Sequence, residues 1–207
     1  MKNTKVKICG IKDETIALNS IKAGADFLGF NFSPKSKRQI SSSKFKEIVN
    51  QIPNEFKLVK IVFLFFQNSK EEINNILATF SPDYIQYVSR DNSVDLKFLK
   101  SFSIPLIPQI GISSPTTNEE LPDEEILILD SFHKEEGGGT GKVFPWENVR
   151  NISKNYFLAG GLNPNNVELA VKTLNPFGVD VASGVEIEPG MKDIELIKEF
   201  IKNAKGT

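Results

Sequence analysis

Cysteine and histidine are nearly absent from this 207-residue chain, which contains one of each. A single cysteine forms no disulfide within the chain. One histidine and one cysteine in total do not supply the usual ligands of a zinc site. The composition therefore argues against a disulfide scaffold and against a cysteine-rich metal site.

The chain also lacks a charge imbalance and a long apolar run. Its formal net charge is −1, which gives no electrostatic attraction to nucleic acid or to an anionic membrane. No apolar run approaches the ~20 residues of a membrane-spanning helix, and the first residues carry no apolar signal-peptide core. We expect a single cytoplasmic domain over residues 1–207, a monomer or a homodimer, with no nucleic-acid or membrane partner.

What the chain does contain is a regular alternation of strand-like and helix-like segments. The predicted strands are Lys5–Cys9, Phe27–Asn31, Leu58–Phe65, Tyr84–Tyr87, Leu106–Ile110, Ile126–Asp130, Tyr156–Ala159 and Gly178–Val181. The predicted helices are a first one between Asp13 and Gly24, then Ser43–Gln51, Lys70–Phe80, Val94–Phe102, Ser113–Asp123, Trp146–Ser153, Pro164–Leu174 and Asp193–Ala204.

Eight such units predict parallel βαβ connections and an α/β fold, a (β/α)8 TIM barrel in a single domain. A doubly wound open sheet is the alternative. That fold usually has fewer strands at this length, and it does not spread functional residues over all the strand ends.

Glycine-rich turns follow the last two predicted strands. Gly160-Gly161 ends the seventh strand, and Ser183-Gly184 follows the eighth. Asn163-Pro164 is typical of the N-cap and first turn of a helix, where free N–H groups bind anions. Two left-handed turns that merely close βα connections are the plainer interpretation. The pair of turns favours a phosphate site, because barrels commonly bind phosphate after strands 7 and 8.

The only cysteine lies at the end of the first predicted strand. Alternation of side chains puts Lys7 and Cys9 inside a barrel, while Val6 and Ile8 face the helices. A lone cysteine is usually a small core hydrophobe. At the mouth of a barrel, however, Cys9 lies where catalysis occurs, and a nearby lysine or phosphate shifts its pKa in a direction that the sequence leaves open.

Asp130 ends the apolar sixth strand and faces inward with Ile126 and Ile128. Desolvation there raises the pKa of a carboxyl group and makes it a usable general acid near neutral pH. A structural aspartate that accepts N–H bonds from the next loop is an equally good interpretation.

Three further features lie at predicted strand ends. Arg38, in a basic loop after the second strand, is suited to bind an anion or a carboxylate. Gln86, near the end of the fourth strand, is a candidate hydrogen-bond donor to the substrate. The glycine-rich segment 137–141 lacks the spacing of a P-loop and is predicted to be a lid, with His133 in its exposed approach.

These segments together resemble the phosphoribosylanthranilate isomerase family of tryptophan biosynthesis. The resemblance covers almost the whole chain in the family's order. It rests on Lys7-Ile8-Cys9-Gly10-Ile11, Pro34-Lys35-Ser36-Lys37-Arg38, Leu129-Asp130-Ser131, Gly138-Gly139-Thr140-Gly141-Lys142, Gly160-Gly161-Leu162-Asn163-Pro164-Asn165-Asn166-Val167 and Val179-Asp180-Val181-Ala182-Ser183-Gly184-Val185-Glu186.

The resemblance implies an Amadori rearrangement of N-(5-phosphoribosyl)anthranilate, a phosphorylated small molecule, without metal or cofactor. It implies that Asp130 is the general acid that opens the ribose ring and that Cys9, as thiolate, is the general base that removes the C2 proton. It further implies that Arg38 contacts the anthranilate carboxylate or ring. The phosphate would then be held by Gly160, Gly161, Ser183 and Gly184.

One family motif is altered. The usual Gln-Leu-His-Gly after the fourth strand reads Gln86-Tyr87-Val88-Ser89 here, and the missing histidine is thought to position the substrate. Two alternatives therefore stay open. One is another phosphosugar enzyme on the same barrel, such as the ribose-phosphate isomerase of histidine synthesis or indole-glycerol-phosphate synthase. The other is a catalytically impaired barrel that binds a phosphorylated ligand.

Overall fold

The barrel closes in sequence order, with each strand parallel to the next and the last strand paired with the first. The computed structural model describes residues 4–56, 58–88, 95–131 and 145–206. The strands are β1 (Lys5–Cys9), β2 (Phe27–Asn31), β3 (Lys60–Phe65), β4 (Tyr84–Val88), β5 (Leu106–Ile112), β6 (Leu127–Ser131), β7 (Tyr156–Leu158) and β8 (Gly178–Val181). The predicted TIM barrel is confirmed, and an open sheet is ruled out by the pairing of Lys7 with Asp180 across β1 and β8.

Six α-helices lie on the outside of the barrel within the described ranges. They are α1 (Glu14–Ala23), α2 (Ser42–Asn50), α3 (Lys70–Leu77), α4 (Leu96–Lys100), α5 (Val167–Leu174) and α6 (Ile194–Lys205). The predicted cap of α1 is confirmed, since the Asp13 side chain accepts from the Ile16 N–H and Gly24 ends the helix in the left-handed region. No helix among the described residues is both long and apolar enough to cross a membrane.

Two predicted helices are wrong. The segment Ser113–Asp123 forms only a 3₁₀ turn at Asn118–Glu120, and Trp146–Ser153 forms only a 3₁₀ turn at Trp146–Val149. Prolines interrupt the first segment. Nothing in the sequence of the second segment explains why it stops after one turn. The predicted lid and His133 lie outside the described residues.

The apolar core is divided by the barrel wall. A large cluster packs between strands and helices and contains Val6 and Ile8, as the alternation of side chains predicts. A smaller cluster fills the inside of the barrel with Phe27, Val62, Ile107, Ile126, Ile128, Phe157 and Ala159. Toward the carboxyl ends of the strands, the inward-facing side chains are polar instead of apolar. The candidate site therefore lies at that end of the barrel.

A short antiparallel hairpin follows β8. It consists of β9 (Glu186–Glu188) and β10 (Met191–Lys192) and leads directly into α6. The hairpin lies beside the basic loop after β2, because Glu186 binds Arg38.

Candidate active site

A cavity of about 660 Å³ opens at the carboxyl ends of the barrel strands. Residues that are far apart in the sequence converge there, from β1, the loop after β2, β4, β6 and the loops after β7 and β8. The predicted site residues that line it are Cys9, Arg38, Gln86, Asp130, Gly160, Gly161 and Ser183. Gly184 is not among the lining residues and has a different role, described below.

Asp130 is held from two sides at the end of β6. Its Oδ1 accepts hydrogen bonds from the Ser131 N–H at 2.7 Å and from the Ser131 hydroxyl at 3.3 Å. Its Oδ2 accepts a hydrogen bond from Gln109 Nε2 at 2.6 Å. Burial, together with the negative charge of Asp180, raises the pKa of Asp130 to about 6 in spite of these bonds. The upward shift by desolvation that the apolar strand predicts is therefore present.

Cys9 is buried at the end of β1, with 6% of its surface exposed. Burial raises the pKa of its thiol, while the positive charges of Lys7 and Lys192 oppose that shift. The direction left open by the sequence is thus upward, and the thiol is protonated at neutral pH.

A buried ion pair lies beside the thiol. Lys7 Nζ is 2.9 Å from Asp180 Oδ1, and Lys7 is fully buried. Burial works to lower the pKa of Lys7, but the charges of Asp180 and Cys9 outweigh it and raise that pKa. The alternation of β1 predicts an inward Lys7, but the sequence does not show that Asp180 of β8 lies opposite it.

Arg38 lies at the cavity wall and is paired there with a carboxylate of the protein. Its Nε and Nη2 donate to the two carboxylate oxygens of Glu186, each at 2.8 Å, so the guanidinium fork is already occupied. Lys192 Nζ also donates to Glu186, at 3.1 Å. Burial works to raise the pKa of Glu186, but these two cations outweigh it and hold that pKa below its ordinary value. Arg38 still lines the cavity, and a guanidinium has three N–H groups beyond those two.

Gln86, the candidate donor on β4, is buried at the cavity wall and uses one of its two N–H groups within the protein. Its Nε2 donates to Gln109 Oε1 at 2.8 Å inside the barrel. The Gln86 atom that has no hydrogen-bond partner within the described part of the chain is the acceptor, Oε1. The structure therefore offers a buried acceptor at the cavity wall.

The glycine turns after β7 and β8 are packed against each other and against Asp130. Gly160 has a φ of +79°, and a Cβ on it would lie 2.5 Å from the Ser131 backbone nitrogen. A Cβ on Gly184 would lie 1.8 Å from the carbonyl oxygen of Leu162. Glycine at both positions therefore permits close contacts between backbone segments, and Gly184 acts by bringing the two loops together.

The helix predicted to open at Asn163-Pro164 begins three residues later, at Val167. Asparagine side chains close a turn in front of it: Asn163 Oδ1 accepts from the Asn165 N–H, and Asn166 Nδ2 donates to the Gly161 carbonyl. Asparagine favours such local bonds over helix, which explains the delayed start.

Metal-ligating side chains do not cluster here. Within residues 4–56, 58–88, 95–131 and 145–206, no group of three or more His, Cys, Asp or Glu side chains is arranged to hold a metal ion.

A closed barrel with an acid, a thiol and glycine turns around one cavity defines a (β/α)8-barrel enzyme. The family model described as N-(5'phosphoribosyl)anthranilate (PRA) isomerase matches residues 6–203. A relative from Leptospira borgpetersenii, named N-(5'-phosphoribosyl)anthranilate isomerase, is 43% identical over 205 residues, which cover 98% of this chain and 95% of the relative. The chain belongs to the phosphoribosylanthranilate isomerase family, the isomerases of tryptophan biosynthesis.

Solved structures of the family have the same fold. Phosphoribosyl anthranilate isomerase from Thermotoga maritima gives a TM-score of 0.81 at 34% identity, covering 99% of this chain and 100% of that one. An isomerase in complex with reduced 1-(o-carboxyphenylamino)-1-deoxyribulose 5-phosphate gives a TM-score of 0.78 at 33% identity with the same coverage. The resemblance identified from the sequence motifs is confirmed.

Proposed function

We propose that this chain converts N-(5-phosphoribosyl)anthranilate to 1-(2-carboxyphenylamino)-1-deoxyribulose 5-phosphate, with Asp130 as general acid and Cys9 as general base. The observation that carries the proposal is that these two residues, from β6 and β1, line one cavity at the carboxyl end of the barrel. The ligand named for the related complex is a reduced form of this product.

The first step opens the sugar ring. The Asp130 carboxyl donates its proton to the ring oxygen, the C1–O bond breaks, and the nitrogen lone pair forms a C1=N iminium. An acid with a pKa near 6 is matched to this transfer at neutral pH, whereas an exposed aspartate is seldom protonated there.

The second step removes the proton from C2. The iminium withdraws electrons and acidifies that C–H bond, so the Cys9 thiolate takes the proton and a C1=C2 enolamine forms. The enolamine then gains a proton at C1 and loses one from the C2 hydroxyl, which yields the ketose. Sulfur suits this role, because a thiolate of raised pKa is a strong base.

The resting protonation state is the reverse of the one that reacts. At pH 7 the Asp130 carboxyl is mainly ionised, since its pKa is about 6, and the Cys9 thiol is protonated. In the reactive form, one proton has moved from the Cys9 sulfur to the Asp130 carboxyl group. A bell-shaped profile of kcat/KM is expected, with an acidic limb near pH 6 that belongs to Asp130 and an alkaline limb that belongs to Cys9.

The rest of the cavity suits the two anionic ends of this substrate. Gly160, Gly161 and Ser183 line the same cavity and bind the phosphate in our proposal. Lys35, Lys37 and Arg38 line the cavity from the loop after β2 and provide positive charge for the anthranilate carboxylate.

The test is a fluorescence assay that follows the loss of N-(5-phosphoribosyl)anthranilate. We expect turnover by the wild type and a loss of roughly 10³-fold in Cys9→Ala and in Asp130→Asn, with the fold retained by circular dichroism. Ile8→Val, which changes the neighbouring outward side chain of β1, is the matched control and keeps wild-type turnover.

Two outcomes overturn the proposal in different ways. If the wild-type protein binds the reduced product in calorimetry but does not turn over substrate, it is a ligand-binding barrel without isomerase activity. Undiminished turnover by either variant removes the role assigned to that residue.

A further inference from the structure

A chain of three buried polar side chains crosses adjacent strands of the barrel. Gln86 on β4 donates to Gln109 on β5 at 2.8 Å, and Gln109 donates to Asp130 on β6 at 2.6 Å. At most 7% of the surface of any of the three residues is exposed. Nothing in the sequence motifs draws attention to Gln109, which follows a proline in an otherwise apolar strand.

The direction of this chain is dictated by the carboxyl group at its end. An ionised carboxylate only accepts hydrogen bonds, so Gln109 presents its amide nitrogen to Asp130 and its oxygen to Gln86. Gln86 must in turn present its own nitrogen, which leaves its Oε1 as the atom without a partner in the described ranges. The observed orientations of both amides therefore belong to the ionised form of Asp130.

We propose that Gln109 is a positioning residue for the general acid, which it acts on by fixing one carboxyl oxygen of Asp130 and stabilising the ionised form. The inference rests on the proposed role of Asp130 in ring opening. Ser131 binds Oδ1 and Gln109 binds Oδ2, so neither oxygen can rotate away without losing a bond. The plane of the carboxyl group is thereby set before the substrate arrives.

The sign of the electrostatic effect follows from the bond. A donor to the ionised form favours that form, so Gln109 lowers the pKa of Asp130 against the upward effects of burial and of Asp180. Without Gln109 the pKa of Asp130 is expected to rise by about one unit, the usual scale for one hydrogen bond to a buried charge.

Among the described residues, the other ionisable groups near Asp130 lie on β8 and β1. Asp180 faces it from β8, and Lys7 and Cys9 lie on β1 next to Asp180. The described strand β5 contributes no ionisable side chain, and Tyr156 of β7 packs in the outer cluster. Substitution of Gln109 by a neutral residue leaves all of these charges in place.

The experiment compares Gln109→Met with Gln109→Asn. Methionine keeps the length of the side chain and removes the donor, and asparagine keeps the amide but withdraws it by one methylene. We expect the acidic limb of kcat/KM to move from near pH 6 toward higher pH by about one unit in both variants. If the methionine variant fails to fold, the asparagine variant decides the question.

A purely structural role for Gln109 predicts a different result. Ile107→Val, which removes a methylene from the inward neighbour on β5, is the matched control and is expected to lower the melting temperature without moving the acidic limb. An acidic limb that stays in place in a folded Gln109 variant overturns the proposal.

A direct titration separates this inference from the proposed function. Aspartate labelled with carbon-13 at Cγ gives an Asp130 resonance that is assigned by its loss in Asp130→Asn. In Gln109→Met that resonance is expected to titrate about one unit higher than in the wild type, whether or not the protein turns over substrate. An unchanged titration contradicts the inference about Gln109, while absent turnover with a shifted titration contradicts only the proposed function.

Discussion

At the scale of single residues, the structure puts a carboxyl group where its charge is disfavoured. Asp130 has a pKa of about 6, well above the ordinary value of 3.8, chiefly because it is buried. Between those two pH values the folded protein holds a proton that the unfolded chain releases. The free energy of unfolding therefore falls as pH rises through this window, and the ionised carboxylate destabilises the fold above pH 6.

Asp130→Asn removes that titration and is expected to gain stability relative to the wild type as pH rises. The difference in the free energy of unfolding between variant and wild type grows by about 2 kcal/mol from pH 4.5 to pH 7.5. Urea denaturation at both pH values measures it, with the exposed Glu168→Gln as control. A difference that does not depend on pH contradicts the raised pKa.

Residue-scale prediction from the sequence succeeds where one strand determines the answer. The period of two puts Lys7, Cys9 and Asp130 inside the barrel. In the structure Lys7 is buried against Asp180, and Cys9 and Asp130 line the cavity. It does not identify Gln109 or Glu186, because their importance comes from which side chain lies across from them after closure. For Arg38 the sequence predicts binding to an anion but does not identify that anion. Within the protein, it is the Glu186 carboxylate.

At the scale of elements, the β9–β10 hairpin holds the basic loop after β2 in place. Glu186 on β9 binds Arg38 through both oxygens and also binds Lys192 on β10. The hairpin thus fixes the direction of the guanidinium at the cavity wall, and a bidentate pair restricts it more than a single contact does.

Glu186→Gln removes the charge that holds Arg38 and is expected to weaken substrate binding. We expect KM to rise about tenfold while kcat changes by less than about threefold, since in our proposal Arg38 binds the substrate and moves no proton. Steady-state kinetics measures this effect. Glu188→Gln, on the same strand and exposed, is the control. An unchanged or lower KM in Glu186→Gln shows that the pair does not orient Arg38 for binding.

The elements themselves were predictable where pattern and caps agree. The eight strands lie close to their predicted ranges, and α1 and α6 follow their capping aspartates. Predictions failed for Ser113–Asp123 and Trp146–Ser153, each of which forms only a short 3₁₀ turn. The alternation of segments therefore predicts the order of the strands better than it predicts which connections contain a helix.

At the scale of the whole molecule, the barrel is closed by the pairing of the first and last strands. Lys7 and Asp180 lie opposite each other at that seam, and their side chains form a buried ion pair at 2.9 Å, with Asp180 at the wall of the cavity. Removing one partner of such a pair leaves a buried charge without compensation.

Lys7→Met is expected to lower the free energy of unfolding by about 3–5 kcal/mol, because it leaves the Asp180 charge at the seam unpaired. Lys5→Met is the matched control, since Lys5 lies on the same face of β1 and also pairs with an aspartate, Asp26. The Lys5 side chain is 36% exposed, so that pair is not buried. That variant is expected to lose less than about 1 kcal/mol. Urea denaturation compares the two, and equal losses contradict a special role for the seam.

The central claim is that Cys9 and Asp130 act on one sugar from the two sides of one cavity. A crystal structure of this protein with the reduced product tests it most directly. The account predicts that the sugar lies between the two residues, with C2 about 4 Å or less from Sγ and the former ring oxygen about 3 Å from the Asp130 carboxyl group. A sugar bound beyond the reach of either group contradicts the account.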